Sequence, residues 1–291
     1  MDTVGSVASG LTGSFPLSAL ERVGRDGCLR LRFERRQDAT VLTRCAYTLP
    51  LQVLAPLRLP GPAAVVSMLN PGGGIVGGDR LAVDVDVGSG AHACLTTPAA
   101  TKVYRTVGPE ARQDVRLRVA AGGTLEWVPD HTIAFAGSAF RQTIEAQVER
   151  GGRLILLDAF AAGRVARDEA WRFARLENII TVREGSRWIL HDRFLLDPEG
   201  PWTGVGCSDG CAYFGALVVI GEVAATGLAR AVTSALTRDD VKGAAAPGPR
   251  GGLVARVLAA SAPAFMAALD TMWGLARRAL LDLPPLALRK P

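Results

Sequence analysis

Apolar and polar residues alternate with a period of two along much of the first two thirds of the chain. Around residues 29–34, 81–87, 115–119 and 144–149, every second residue is apolar, and the residues between them are mostly charged or small. Because successive side chains of a strand point to opposite faces of a sheet, this pattern is typical of strands with one buried face. It predicts a chain that is mainly β.

A weak internal repeat accompanies these strands. Val87, Val119 and Val148 each stand three residues before a glycine and six residues before an apolar residue, and the valines lie 32 and 29 residues apart. Repetition on this scale favours stacked β units in a solenoid-like arrangement. Three ordinary hairpins with glycine turns would give the same spacing, so both interpretations stay open.

The last third of the chain changes to a helical pattern. Residues 224–236 are rich in alanine, and a Pro/Gly cluster at 247–252 separates them from a second predicted helix that begins at Ser261 or Pro263. Asp270, Arg277 and Arg278 are predicted to lie off its apolar face. That face carries Phe265, Leu269, Met272, Trp273, Ala276 and Leu280.

These patterns together predict one β-rich domain over residues 21–291, with a stacked, solenoid-like strand arrangement and two α-helices in its C-terminal third. Residues 1–20 are rich in Gly, Ser and Thr and lack periodicity, which predicts a flexible N-terminal segment. Between these limits no composition change indicates a linker between separate domains.

The most distinctive segment is a glycine loop with five glycines between Gly72 and Gly78. It contains G-x-G-x-x-G, but a dinucleotide site needs a helix directly after the glycines, and residues 81–87 predict a strand. A phosphate-binding P-loop is disfavoured because Asp79-Arg80 stands where Lys-Ser/Thr is required. The loop is better interpreted as a connection that crosses close to another backbone, or as one that holds Asp79 at a surface or channel.

Net charge, the length of apolar runs and cysteine spacing limit which classes of partner and which cellular location the sequence favours. The net charge is +5, but acidic and basic residues alternate without long runs, which disfavours nucleic-acid binding. The longest apolar run is too short to cross a membrane, and no basic residue precedes Arg22, so a cytoplasmic protein is expected. Among five scattered cysteines, Cys207 and Cys211 form C-x-x-x-C; inert thiols are favoured over a soft-metal site.

No catalytic constellation emerges from the residues. The three histidines, His92, His131 and His191, form no H-E-x-x-H motif, and no G-x-S-x-G segment occurs. Asp130-His131 follows a predicted strand and could ligate a divalent metal transiently, although a turn aspartate is the commoner explanation. The residues alone therefore predict a β-rich protein that handles metal or partners and has no enzyme signature.

Four motifs occur in an order that resembles the UreD/UreH family of urease accessory proteins, with coverage of about residues 28–291. The late Trp273 helix and the Pro284-Pro285 tail also fit this family. The motifs are Pro71–Leu81, Leu95–Arg105, Leu125–Pro129, and Gly163-Arg164 followed by Glu169.

The resemblance implies a β-rich scaffold that is not an enzyme. Family members bind nickel-free urease (apo-urease) together with UreF and the UreG GTPase, and nickel passes through the complex into urease. In this family GTP is bound and hydrolysed by UreG. The resemblance therefore implies no stably bound cofactor on this chain, only nickel in transit. No nucleic-acid or membrane partner is expected, and a homodimer within the accessory complex is an arrangement that the resemblance allows.

Carried over by position, the resemblance makes Asp79 and Glu169 the main channel or interface candidates, with Thr97 a weaker one. Asp130 and His131 complete a dispersed nickel path. A second interpretation is that Asp79 caps the glycine loop and Glu169 pairs with a nearby arginine. The other interface candidates are the motif residues Gly73, Gly74, Gly77, Gly78, Lys102, Tyr104, Arg105, Gly163 and Arg164.

Two positions depart from the family pattern. The family often has a carboxylate where this chain has His131, and the family tail often ends Pro-Arg-Ile-Trp, whereas residues 288–291 read Leu-Arg-Lys-Pro.

Two competing functions also remain: a nucleotide-dependent enzyme that uses the glycine loop, and a generic β interaction module with exposed strand edges.

Overall fold

A computed structural model describes residues 25–57, 59, 61–248 and 251–288. The predicted N-terminal segment 1–20 and the last three residues lie outside this range. Within it the chain is mainly β and solenoid-like with two helices, as predicted. The strands are β1 (Asp26–Arg36), β2 (Ala39–Thr48), β3 (Gln52–Val53), β4 (Ala64–Leu69), β5 (Arg80–Val87), β6 (His92–Thr96), β7 (Thr101–Val103), β8 (Ala111–Val119), β9 (Thr124–Trp127), β10 (Thr132–Ala134), β11 (Ala139–Val148), β12 (Arg153–Ala161), β13 (Arg175–Glu184), β14 (Arg187–Leu196), β15 (Tyr213–Ile220), β16 (Val241–Pro247) and β17 (Leu253–Ala259); the helices are α1 (Ala225–Leu236) and α2 (Ala262–Leu281).

The strands form two large sheets. The outer sheet has the order β14-β13-β11-β8-β5-β1-β2, and the inner sheet has the order β16-β17-β15-β12-β9-β6-β4-β3. The short strands β7 and β10 pair in parallel with each other, and β10 also pairs with β12. Neither described helix is long and apolar enough to cross a membrane.

The internal repeat corresponds to successive coils of the solenoid. Val87, Val119 and Val148 are neighbours in the parallel register of the outer sheet. After each valine the chain turns at a glycine with positive φ and enters the inner sheet, where the next three strands are again parallel neighbours. The hairpin interpretation is therefore wrong, because the two strands joined by each glycine turn belong to different sheets.

Burial explains why the two sheets differ in sequence pattern. The outer sheet buries one face against the inner sheet, so β5 and β8 alternate between buried and more exposed residues. The inner sheet is covered by the outer sheet on one face and by both helices on the other. Its strands β6, β9 and β12 are consequently buried almost throughout, as expected for a sheet covered on both faces.

Helix α2 begins where the sequence predicts. The Ser261 side chain accepts a hydrogen bond from the Ala264 amide at 3.4 Å and caps the first turn. All six predicted apolar-face residues are buried, and Asp270 and Arg278 are exposed. Arg277, by contrast, is only 2% exposed, so its predicted place off the apolar face is wrong. Arg277 forms an ion pair with the buried carboxylate of Glu126 on the inner sheet.

Candidate functional site

The glycine loop between β4 and β5 lies directly against β7. The Ile75 amide donates to the Lys102 carbonyl at 2.8 Å, and the Tyr104 amide donates back to the Ile75 carbonyl at 2.9 Å. A Cβ on Gly74 would lie 2.6 Å from both the Lys102 carbonyl oxygen and the Tyr104 ring, and the Tyr104 hydroxyl donates to the Gly73 carbonyl at 3.1 Å. The loop therefore crosses close to another backbone, which explains its glycines.

The second half of the loop leads straight into a strand. Gly77 packs against Thr106 and Val107, where a Cβ would come within 3.0 Å, and Gly78 has a φ of +87°. β5 begins at Arg80, so the strand prediction is confirmed. Because a strand follows the glycines, the loop lacks the helix whose N-terminus would hold the pyrophosphate in a dinucleotide site.

Asp79 closes the loop through a buried carboxylate that is 2% exposed. Its Oδ2 accepts a hydrogen bond from the Val76 amide at 2.9 Å, which confirms the capping interpretation. Its Oδ1 is buried and finds no hydrogen-bond partner among the described residues. Burial raises the pKa of Asp79, while the Val76 hydrogen bond and the charge of Arg25 act against that rise.

Glu169 is held by an arginine of its own motif. Arg164 Nε donates to Glu169 Oε2 at 2.7 Å, and Arg164 Nη2 donates to Oε1, so the pairing interpretation is confirmed. The hydrogen bonds and charge of Arg164 lower the pKa of Glu169. A Cβ on Gly163 would lie 2.2 Å from the Glu169 carbonyl oxygen, so the glycine permits the close approach that forms this pair.

Thr97 and Asp130 meet at an internal cavity. The Asp130 amide donates to Thr97 Oγ1 at 2.9 Å, and both residues line a cavity of about 70 Å³ between the sheets. The His131 ring has different surroundings: it packs edge-on against Tyr213 and against Phe265 of α2, with ring centroids 6.2 and 6.1 Å away. Adjacent residues thus contribute to separate environments.

The buried polar cluster of Gln142, Asp158 and Asn178 was not predicted from the sequence. Asp158 Oδ1 accepts from Gln142 Nε2 at 2.8 Å, and Asp158 Oδ2 accepts from Asn178 Nδ2 at 2.6 Å. Burial raises the pKa of Asp158 to about 6, which these two hydrogen bonds oppose and the charge of Asp192 favours. The available signal was a single carboxylate inside the apolar run of residues 154–162.

The remaining candidates do not converge on one point. Lys102 and Arg105 are exposed next to the glycine loop, Cys207 is exposed and Cys211 is buried. Within the described ranges, no group of three or more His, Cys, Asp or Glu side chains could hold a metal ion.

The decisive comparison is with a family model described as UreD urease accessory protein, which matches residues 25–291. The chain belongs to the UreD family of urease accessory proteins. The matched residues include the glycine loop, the Arg164–Glu169 pair and α2, so the family assignment covers the whole described fold of this UreD-family chain.

Individual relatives agree with this assignment, and each carries the name urease accessory protein UreD. The protein from Anaeromyxobacter sp. (strain Fw109-5) is 37% identical over 250 residues, which cover 84% of each chain. The protein from Cupriavidus metallidurans is 36% identical over 270 residues, covering 90% of this chain and 92% of the relative. The protein from Deinococcus radiodurans is 33% identical over 274 residues, covering 94% and 97%. A role in urease maturation follows for this chain.

Proposed function

We propose that this UreD-family chain binds apo-urease together with UreF and the UreG GTPase in the cytoplasm, and that it assists insertion of nickel into the urease active site. It acts as a scaffold and holds nickel only in transit. Family membership supports the role in urease maturation; the charges inside the fold support the passage of a cation.

The Asp79 carboxylate is the observation that carries the nickel proposal. A buried carboxylate oxygen without a hydrogen bond is costly, because the charge has lost its water and gained no partner. One oxygen of Asp79 is occupied by the Val76 amide, and Oδ1 stays available to a cation. A divalent ion passing Asp79 would relieve this cost without remodelling the loop.

A transit path also needs ligands that are spread out. Three or four converging ligands would trap the ion, whereas single carboxylates let it move on. Asp130 and Thr97 line an internal cavity, and His131 has its own surroundings against α2. This separation of Asp79, Asp130 and His131 suits a relay better than a storage site.

The test replaces one carboxylate by its uncharged isostere. Asp79→Asn keeps an acceptor for the Val76 amide but removes the charge. Asp86→Asn is the matched control, because Asp86 lies on β5, the strand that directly follows Asp79, is 43% exposed at its side chain and pairs with Arg118 on the outer face. Each variant is co-expressed with urease, UreF and UreG, and the complex is isolated through a tag on this chain.

Both variants should co-purify with apo-urease, UreF and UreG at the wild-type ratio. Asp79→Asn should lower the nickel content of urease at least about tenfold, and Asp86→Asn should leave it unchanged. Full nickel loading with Asp79→Asn would remove Asp79 from the path. Failure of the wild-type chain to co-purify with apo-urease would overturn the scaffold proposal itself.

A further inference from the structure

A cavity of about 760 Å³ lies between the two sheets, where β13 and β14 face β15, β16 and β17. This volume is typical of sites that bind small molecules. The walls are largely apolar, and two ring pairs among them are stacked, with Phe214 against both Phe160 and Trp171. The aromatic side chains that line the cavity are Phe160, Trp171, Phe194, Trp202 and Phe214.

One carboxylate on the cavity wall has no ion-pair partner among the described residues. Asp192 and Arg256 on the wall form an ion pair with each other, and Lys242 on the wall is paired with neighbouring Asp209, so these charges cancel. Asp158 also lines the cavity and is 6% exposed, and no described basic side chain forms an ion pair with it. Among the described residues, its two oxygens accept hydrogen bonds only from neutral amides of the polar cluster. A carboxylate retains further lone pairs after two such bonds, so it can still receive a cationic donor.

The Ser208 hydroxyl is a second polar group on the cavity wall. Ser208 is 4% exposed and lines the same cavity, and its hydroxyl oxygen has no hydrogen-bond partner within the described residues. A buried hydroxyl without a partner is destabilising, and a ligand that supplies a hydrogen bond would remove that cost. Asp158 and Ser208 therefore point independently to a ligand with a polar group.

We propose that this cavity is a binding site for a small organic cation with an apolar body, of the arylalkylammonium type. The ammonium group would donate to Asp158 and to the Ser208 hydroxyl, and the aromatic walls would enclose the ring. Aromatic rings stabilise a desolvated cation and also bury its apolar part. A bare metal ion would gain little from these walls, and an anion would meet the Asp158 carboxylate. Asp158 also lines the smaller cavity that Thr97 and Asp130 share, but the proposal does not rest on nickel transit, and its test uses no nickel.

Three probes of similar shape and different charge test the proposal on the full chain: 2-phenylethylammonium, 2-phenylethanol and 3-phenylpropionate. Binding is followed by calorimetry and by the fluorescence of Trp171 and Trp202, which line the cavity. The ammonium compound should bind at least about tenfold more tightly than the alcohol, and the carboxylate should bind most weakly.

Three variants test the roles of Asp158 and Ser208. Asp158→Asn should abolish the preference for the ammonium compound and leave the affinity for the alcohol unchanged. Asp86→Asn removes a carboxylate that is paired with Arg118 and does not line the cavity, and it should keep the preference. Ser208→Ala is a milder substitution that should weaken ammonium binding about three- to tenfold, which keeps the proposal testable if Asp158→Asn fails to fold.

Equal affinities for the ammonium compound and the alcohol would overturn the proposal, because the cavity would then be only an apolar void. Absence of saturable ammonium binding up to about 1 mM would also overturn it. The same holds if Asp158→Asn retains the preference, since the charge would then come from elsewhere.

Discussion

Arg277 on α2 and Glu126 on β9 form a buried ion pair across 151 residues of sequence. Arg277 Nη1 lies 2.6 Å from Glu126 Oε2, and Arg277 Nε donates to the Pro284 carbonyl at 2.9 Å. Glu126 is fully buried and also accepts a hydrogen bond from Trp273 Nε1 at 2.7 Å, while His92 Nε2 lies 2.7 Å from its other oxygen. Burial alone would raise the pKa of Glu126, but His92 and Arg277 hold it below its ordinary value. The cluster fastens the last helix to the inner sheet.

Arg277→Met should destabilise the fold by about 3–5 kcal/mol, because the variant leaves the Glu126 carboxylate buried without its arginine partner. Urea denaturation of the full chain measures the change in the free energy of unfolding. The matched control is Arg278→Met at the neighbouring exposed position, which should change this free energy by less than about 0.5 kcal/mol. Equal effects of the two substitutions would contradict the role assigned to Arg277.

The same pair shows where sequence reasoning fails. The apolar spacing along α2 predicted its buried face correctly, and the repeat at Val87, Val119 and Val148 predicted the stacked coils. Arg277 borders that buried face, but its charge placed it with the polar residues. Only the carboxylate of Glu126 makes its burial favourable, and that partner is distant in sequence, so local spacing could not reveal it.

In the candidate site too, contacts between residues close in sequence were predicted and contacts between distant residues were not. Asp79 and Glu169 were found through their motifs, and the two local contacts that they make were anticipated because each partner lies within five residues. The Asp158 cluster was missed because Gln142, Asp158 and Asn178 come together only when β11, β12 and β13 are placed in two facing sheets. Side-chain contacts between different sheets have no local periodicity.

Gly163→Ala should destabilise the fold by at least about 2 kcal/mol, because the added Cβ would lie 2.2 Å from a backbone oxygen at a φ of +147°. Gly185→Ala is the control: its φ is +57°, and nothing lies within 4 Å of the added Cβ. There the cost should be only about 1 kcal/mol. Thermal and urea unfolding of both variants give the comparison; a Gly163 variant no less stable than the Gly185 variant would contradict the close approach to Glu169.

Glu169→Gln should lower the nickel content of co-expressed urease less than Asp79→Asn does. Both oxygens of Glu169 are engaged by Arg164, whereas Asp79 retains an oxygen without a hydrogen bond. Nickel per urease active site is measured by mass spectrometry after purification. A larger loss from Glu169→Gln would show that the Arg164 pair opens during transit.

Asp158→Asn should change how stability depends on pH. The folded carboxyl has a pKa of about 6 against an ordinary value of 3.8, so between these values the folded state binds more protons than the unfolded state. The contribution of Asp158 to stability therefore falls as the pH rises from about 4 to about 6 and is constant above that window. Asp192 faces this carboxyl and is paired with Arg256, so Asp192→Asn serves as a second comparison.

Relative to wild type, the Asp158→Asn variant should gain stability across this window, by up to about 3 kcal/mol for a shift of about two pKa units. Urea denaturation at pH 4, 5, 6 and 7 measures the difference at each point. A difference that does not vary with pH would mean that Asp158 titrates normally in the folded chain.

We propose that this chain is needed to place nickel in urease. The most direct measurement is the nickel content of urease produced with UreF and UreG in cells that lack the chain, in cells that express it, and in cells that express Asp79→Asn. We expect nickel-free urease in the first case, loaded urease in the second and strongly reduced loading in the third. Equal nickel content with and without the chain would contradict the account.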